Sequence, residues 1–475
     1  MRVNQAPGVM YISIRTTKSL LASLLLGHAI AVPGSSSGHD LSQVGNVNTI
    51  VRDVAVIGGG ASGTYAAIQL RKMGHSVVVI EREPLLGGHT NTYYDPVSGQ
   101  YVDYGVLIWQ DIPQARDFLA YFNISTTIIR FSNSDSARVD LRTGQTVPPP
   151  QGNVTEAMMR YVQQLLKYPY LAEGWNLPDP VPEDLLLPFG EFVKKYDLAP
   201  AVETLTLYVQ GLKDWLPYPT VYIMKYFSLG VALGTQNGFL GTVDGNNGAL
   251  YTAAREELGD DALLGSTVVR MERPANRPHR ILVRTPSGHR LIRANKTIIT
   301  APPKLENLAN FDLDDAESDV FGQFESTFYY TTVTRIPGLP AGLGILNRGA
   351  DTPYNLPPLP GVYTITPSRV PELYTIFYGG GEAKTEDEVK QSIRDSVLML
   401  REAQFDTSAP EILAISNHSP FELFVSSDKI ARGFYSNLYA LQGHRNTYYA
   451  GAAFHAHDSA ALWRFVGNLL KTMFD

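Results

Sequence analysis

The 475-residue chain contains no cysteine and no long run of Lys and Arg, and only 18% of its residues are charged. Each scarcity narrows the chemistry. Without cysteine there is no disulfide framework, thiol nucleophile, Cys-ligated zinc, iron–sulfur cluster or cysteinyl bond to a cofactor. A charged fraction below the roughly 25% usual for soluble domains indicates a globular chain with a large core. With 39 Lys and Arg against 46 Asp and Glu, and a net charge of −7, the clustered cations that release counterions from a phosphate backbone are missing. Nucleic acid is therefore not an expected partner. Past the N-terminal segment no apolar run reaches the length of about 18 residues needed to span a bilayer, so stable membrane insertion is not expected either. Gly-x-Ser-x-Gly, His-Glu-x-x-His and EF-hand patterns are all lacking.

What is present begins at the N-terminus. Arg15 and Lys18 precede an apolar run that ends in Ala29-x-Ala31. This is the profile of a secretory signal peptide over 1–31, with cleavage after Ala31, followed by a Gly/Ser-rich linker over 32–50. A start at Met10 gives a leader of 22 residues. The expected location is extracellular, where the sequons at Asn123, Asn153 and Asn417 are glycosylation candidates. A fourth, Asn295, is expected to lie in a sheet and stay bare.

Length allows two or three domains. Asp53 to Ile57 is a continuous apolar run suited to a buried parallel strand, Ala61 to Met73 has helical spacing closed by Gly74, and Ser76 to Ile80 is a second buried strand. Between strand and helix, Gly58-Gly59-Gly60-Ala61-Ser62-Gly63 matches G-x-G-x-x-G at 58, 60 and 63. In that context Gly58 permits the tight turn, Gly60 lets amides approach a pyrophosphate at the helix N-terminus, and Gly63 allows close helix–strand packing. Glu81 ends the second strand 23 residues after Gly58, near the distance at which an acid hydrogen-bonds a ribose 2′-OH.

These features predict an α/β chain with a Rossmann-type dinucleotide domain over 51–130, 241–305 and 415–475. It is interrupted by an inserted α+β substrate domain over 131–240, mainly helical, and 306–414. Helices are expected near 185–197, 200–213, 219–230 and 385–404, and strands near 262–272, 280–285, 289–300, 329–336 and 373–379. The glycine fingerprint alone does not separate a nicotinamide from a flavin cofactor.

The downstream motifs do. Leu86-Gly87-Gly88-His89-Thr90, Val102-Asp103-Tyr104-Gly105, Gly248-Ala249-Leu250, Ser266-Thr267-Val268, Thr300-Ala301-Pro302-Pro303 and Tyr448-Tyr449-Ala450-Gly451 occur in order. Together they resemble the flavin-containing amine oxidase superfamily. Gly-Gly-His-Thr with Val-Asp-Tyr-Gly is most similar to fungal β-cyclopiazonate dehydrogenase-like flavoproteins and to polyenoic fatty acid isomerases. The resemblance implies a p-hydroxybenzoate-hydroxylase-like architecture and FAD as cofactor. It implies that Gly58, Gly60, Ala61, Ser62 and Gly63 hold the pyrophosphate and Glu81 the ribose. Gly87, Gly88 and His89 line the phosphate and ribityl region, Asp103 and Gly105 lie near the flavin, and Val268 lies by the adenine. Ala301 and Gly451 border the cofactor, and the helix beginning at Asp458 and Ser459 points at the flavin N1–C2=O edge.

Two departures loosen the substrate inference. His89 stands in place of an arginine, and Ala452 in place of an acid. His89 is either a hydrogen-bonding or packed residue or a covalent flavin link. For catalysis, His455 and His457 are acid–base candidates, and Tyr329, Tyr378 and Trp463 are candidate walls of an apolar pocket. His455-Ala456-His457-Asp458 is not read as a metal site. The expected reaction is hydride removal from a C–H bond of a small, largely apolar molecule, an amine, alkaloid or other secondary metabolite, to flavin N5, with molecular oxygen as a candidate acceptor. A redox-neutral shift of double bonds in a polyunsaturated fatty acid, or an idle flavin-binding scaffold, are the alternatives.

Overall fold

Val54, Ala55, Val56 and Ile57 are all buried, as a strand covered on both faces requires. They end β1 (Asn48–Ile57), which pairs in parallel with β2 (Val77–Ile80) on one side and with the strand Gly288–Ile299 on the other. Ala262–Leu263 pairs in parallel outside β2, and Thr447–Tyr449 outside Gly288–Ile299. His279–Thr285 and Thr267–Glu272 extend the sheet in antiparallel fashion. Ala55, Ile57, Val78 and Ile80 face one core. Val54, Val56, Val77 and Val79 face another, shared with Ala66, Ala67 and Leu70 of helix α1 (Ala61–Lys72) and with Val466 and Leu470 of the C-terminal helix Ser459–Phe474. The computed structural model describes residues 48–130 and 135–474. The expected leader and cleavage site fall outside the described residues.

Three expectations about boundaries are corrected. The linker expected to run to residue 50 overlaps β1, because Asn48 to Ile50 already pair with Arg290 to Ile292. The strand expected over 262–272 is broken: Gly265 and Ser266 turn their N–H groups onto the carbonyls of Glu83 and Glu81, which brings this turn up to the end of β2. The boundary set between 414 and 415 falls inside the strand Glu411–Asn417.

That last strand edges a second sheet, in the order Glu411–Asn417, Phe328–Arg335, Leu373–Gly380, Gly361–Pro367, Gly344–Asn347, Ser136–Asp140 and Gln145–Thr146. Two of its strands thus come from the segment expected to be mainly helical. One face packs on the helix Glu386–Met399, whose N-terminus carries a capping box from Thr385 and Glu388 and whose Val389, Ile393 and Val397 meet Tyr330, Ile376 and Tyr378. Short helices at Phe189–Lys195 and Thr220–Tyr226 follow Pro188 and Pro219 directly, as proline at a helix start allows. Phe189 and Tyr222 of these helices, with Phe227 just past the second, join Tyr161 and Trp215 in the larger core. Asn123, Asn153, Asn295 and Asn417 are exposed, so the strand that carries Asn295 does not cover it. No helix of the described residues is long and apolar enough to cross a membrane.

Candidate functional site

A cavity of about 2110 Å³ runs from the C-terminal ends of β1 and β2 to the inner face of the second sheet. Its first arm is made of turns. Gly58 takes φ +102°, and a Cβ on Gly63 would collide with the Gly58 carbonyl oxygen, so helix α1 can start this close to β1 only with glycine at both places. The Gly59 N–H donates to Glu81 Oε2 at 2.5 Å and the Glu83 N–H to Glu81 Oε1 at 2.8 Å. Glu81 therefore ties the turn to the end of β2 while lining the cavity.

Opposite lies Gly88, with φ +57°, whose Cβ would come to 2.9 Å from Gly60 Cα. A Cβ on Gly60 would have nothing nearer than Gly88 Cα at 3.7 Å, so side-chain-free residues keep a narrow slot open on both lips. The first amides of α1 have no intrahelical partner and carry the positive end of its dipole. Ser62 Oγ, buried on the wall of the slot, has no hydrogen-bond partner among the described residues. An open slot, unused amides and an orphaned hydroxyl are what a diphosphate needs, so the residues fit a dinucleotide. Ala61, Gly87, Gly105, Val268 and Ala301 also line the cavity, as do Gly451, Asp458 and Ser459 at its far side. Asp458 caps the C-terminal helix through the Ala461 N–H at 3.0 Å and accepts from Gln110 Nε2 at 2.5 Å, and burial raises its carboxyl above the ordinary value.

The second arm is walled by flat rings. His89 stacks on His418 at 4.2 Å and 12°, His457 lies on Phe421 at 4.0 Å and 19°, and Tyr329 stacks on Phe421 at 4.6 Å. Phe377 lies beyond Tyr329, nearly parallel to it. His418 Nε2 is held by Asn91 Oδ1 at 2.8 Å. Burial, with His457 nearby, lowers His418 to about 3; burial and the flanking histidines take His89 well below 6.5. Both rings are neutral at neutral pH, so they serve as flat polar-edged surfaces and not as cations. Behind His457, Glu422 Oε2 lies 3.2 Å from Nε2 and accepts from the Tyr226 hydroxyl at 2.8 Å. Burial, and then Glu422, keep the Tyr226 phenol protonated well above its ordinary range.

Five residues expected at the site do not line the cavity. Trp463 is fully buried against Tyr65, Phe118 and Trp109, with its indole N–H on the Ala61 carbonyl at 3.2 Å, so it supports the start of α1 from behind. Tyr378 faces the helix Glu386–Met399; its neighbour Phe377 faces the cavity, because successive strand residues alternate sides. His455 is buried beside Lys225, with Nε2 3.0 Å from the Ala172 carbonyl. Asp103 accepts from Thr92 Oγ1 at 2.5 Å and the Asn247 N–H at 2.9 Å, and burial raises it to about 7. Gly63 acts only through packing. His418, Phe421, Tyr226 and Phe377 line the ring-walled arm, and Glu422 stands behind His457, without having been singled out in the sequence. No group of three or more His, Asp or Glu among the described residues is placed to hold a metal ion.

Residues 56–122 match the NAD(P)-binding Rossmann-like domain family. The chain is 39% identical over 432 residues to the FAD-dependent oxidoreductase oblC of Cochliobolus heterostrophus, covering 88% of this chain and 89% of that protein. It is 33% identical over 460 residues to the β-cyclopiazonate dehydrogenase of Aspergillus flavus, covering 96% and 97%. Its fold matches a CLA-producing fatty acid isomerase from P. acnes with a TM-score of 0.73 at 20% identity, over 89% of this chain and 99% of that one. It matches a putrescine oxidase with a TM-score of 0.63 at 18% identity, over 90% and 99%. The chain therefore belongs to the family of FAD-dependent oxidoreductases that includes these fungal proteins, whose cofactor is FAD, and it shares its fold with the isomerase and the amine oxidase.

Proposed function

We propose that the protein removes a hydride from a C–H bond of a small, largely apolar molecule, such as an amine, alkaloid or other secondary metabolite, held in the ring-lined arm. In this reading the α1 amides and Ser62 in the glycine slot would hold the FAD diphosphate, and Glu81 would take the ribose in addition to tying the turn. Bound FAD supplies a two-electron acceptor at its N5, which oxygen or another acceptor later restores. The observation that carries the reading is one continuous cavity with two chemically different arms. At about 2110 Å³ it is larger than the roughly 300–1,000 Å³ of a single small-ligand site, which leaves room for cofactor and substrate together.

The chain's own part is to bind, orient and exclude water. Tyr329, Phe377 and Phe421 offer stacking surfaces, and the neutral His89 and His418 add polar edges without charge. An amine entering this dry chamber is favoured as the neutral base, the form that can release a hydride.

The test is an anaerobic titration of the purified protein, followed by its visible spectrum. Amines, indole alkaloids and other apolar metabolites are added in turn. Bleaching followed by peroxide or acceptor reduction supports the oxidation. Conjugated-diene absorbance from a polyunsaturated acid without lasting bleaching supports a double-bond isomerase instead, and no response to any class leaves a binding scaffold. We further propose secretion, on the strength of the leader and the Ala29-x-Ala31 pattern. Protein from the medium should then begin at Val32, whereas retention in the cell with an intact leader contradicts it.

A further inference from the structure

We propose that His457 is the proton acceptor of the oxidation and that Glu422 is its positioning residue. The inference rests on the C–H oxidation proposed above and narrows its substrates to molecules whose reacting carbon bears an N–H or O–H.

His457 lines the chamber, and its ring is fixed flat on Phe421. Its Nε2 lies 3.2 Å from Glu422 Oε2 and 3.2 Å from the Phe421 carbonyl oxygen. Both neighbours are acceptors, so Nε2 carries the proton and the lone pair is left on Nδ1. Glu422 is held in turn. Its N–H donates to Thr327 Oγ1 at 3.1 Å, its carbonyl accepts the Thr327 N–H at 3.1 Å, and Tyr226 donates to the same Oε2 as His457. The Glu422 side chain is only 8% exposed. Burying a carboxylate is costly, and a ring that served only as an apolar wall would need no anion behind it. The arrangement of base, orienting carboxylate and open chamber is that of a general base.

In the oxidation of H–C–X–H, with X nitrogen or oxygen, the C–H bond breaks and its hydrogen leaves with the electron pair as a hydride, for which FAD would be the acceptor. The X–H bond breaks and its pair forms the C=X bond. The proton goes to His457 Nδ1, and the imidazolium is balanced by Glu422. Substrate loses two electrons and FAD gains two. A redox-neutral double-bond shift returns its hydride to carbon and gives up no proton, so it has no use for this pair.

The other groups that face the pair are His89, 5.9 Å from His457 ring to ring, and His418 and Tyr226 around the ring. Tyr218, Tyr222, Tyr435 and Lys225 lie within electrostatic reach of Glu422, and Asp458 follows His457 in the chain. Among the described residues Glu422 is the anion within hydrogen-bond distance of His457.

The test needs no substrate. FAD-loaded protein labelled with ¹⁵N in its imidazoles is titrated by NMR, and His457→Gln assigns the resonance. The expected neutral form carries its proton on Nε2. In Glu422→Gln the pH at which His457 titrates should fall by about 1 unit or more, roughly tenfold in proton affinity. In Tyr226→Phe, which keeps the carboxylate and removes its other donor, that pH should stay level or rise. Retained FAD absorbance shows that each variant is folded. An Nδ1–H tautomer, an unchanged titration in Glu422→Gln, or a fall in Tyr226→Phe overturns the proposal. Bleaching by substrate with an unchanged His457 titration defeats the pair alone, whereas absence of bleaching by any substrate defeats the oxidation itself.

Discussion

Glu81 Oε2 accepts the Gly59 N–H at 2.5 Å, so the acid that ends β2 also closes the glycine turn that follows β1. Glu81→Ala leaves two amides, those of Gly59 and Glu83, without their acceptor. The expected loss is about 1–3 kcal/mol of apoprotein stability together with weaker FAD binding. Glu81→Gln keeps one acceptor oxygen and should lose less of both. Thermal melts and FAD titrations of the two variants check the order; equal behaviour of Ala and Gln speaks against it.

Phe377 and Tyr378 face opposite sides of the same strand, and their substitutions should part accordingly. Phe377→Ala opens the chamber and is expected to raise the substrate concentration needed for bleaching at least several-fold, with a smaller effect on stability. Tyr378→Ala should cost about 3–5 kcal/mol of stability, as large-to-small core changes do, and leave the bleaching rate per bound FAD nearly unchanged. A chamber defect in the Tyr378 variant would contradict the register.

The pH dependence of stability offers a separate check through Asp103. Burial raises its folded-state value to about 7, against an ordinary 3.8. Below pH 3.8 the carboxyl is protonated in both states and contributes no difference. Between 3.8 and 7 the unfolded chain releases the proton while the folded chain keeps it, so stability falls as pH rises, and the penalty is complete above 7. Asp103→Asn retains the Oδ1 acceptor for Thr92 and Asn247 and has no such penalty. Its unfolding free energy relative to the parent should therefore rise between pH 4 and pH 8 by an amount on the order of 1–3 kcal/mol, read as a growing melting-temperature advantage. A flat difference across that range would show that Asp103 is not desolvated.

The glycine-slot arm of the cavity was legible because its residues are tied to backbone needs. Gly58 and Gly88 take positive φ, a Cβ on Gly60 would reach toward Gly88, and each lies in a short contiguous motif. The ring-lined arm was not. Every residue of Leu373–Gly380 is buried, so no polar alternation tells Phe377 from Tyr378. Trp463 shares the apolar stripe of the C-terminal helix with Val466 and Leu470, and a stripe does not reveal whether it meets a core or a cavity. Tyr226 and Glu422 are separated by 196 residues and meet only because the backbone of Glu422 is pinned to Thr327 beside the helix that ends at Tyr226. The run Asn417-His418-Ser419-Pro420-Phe421-Glu422, dense in polar and aromatic side chains right after a strand, was the one local hint of that wall.

The central claim is that the slot between Gly60 and Gly88 receives the FAD diphosphate. Apoprotein of the parent and of Gly60→Leu, whose Cβ would meet nothing nearer than Gly88 Cα at 3.7 Å and whose further carbons are chosen to fill the slot, can be titrated with FAD side by side. The account predicts one FAD per chain for the parent and affinity at least about 100-fold weaker for Gly60→Leu, near 2.7 kcal/mol, at unchanged apoprotein melting temperature. FAD uptake by Gly60→Leu at the parent's affinity would contradict it.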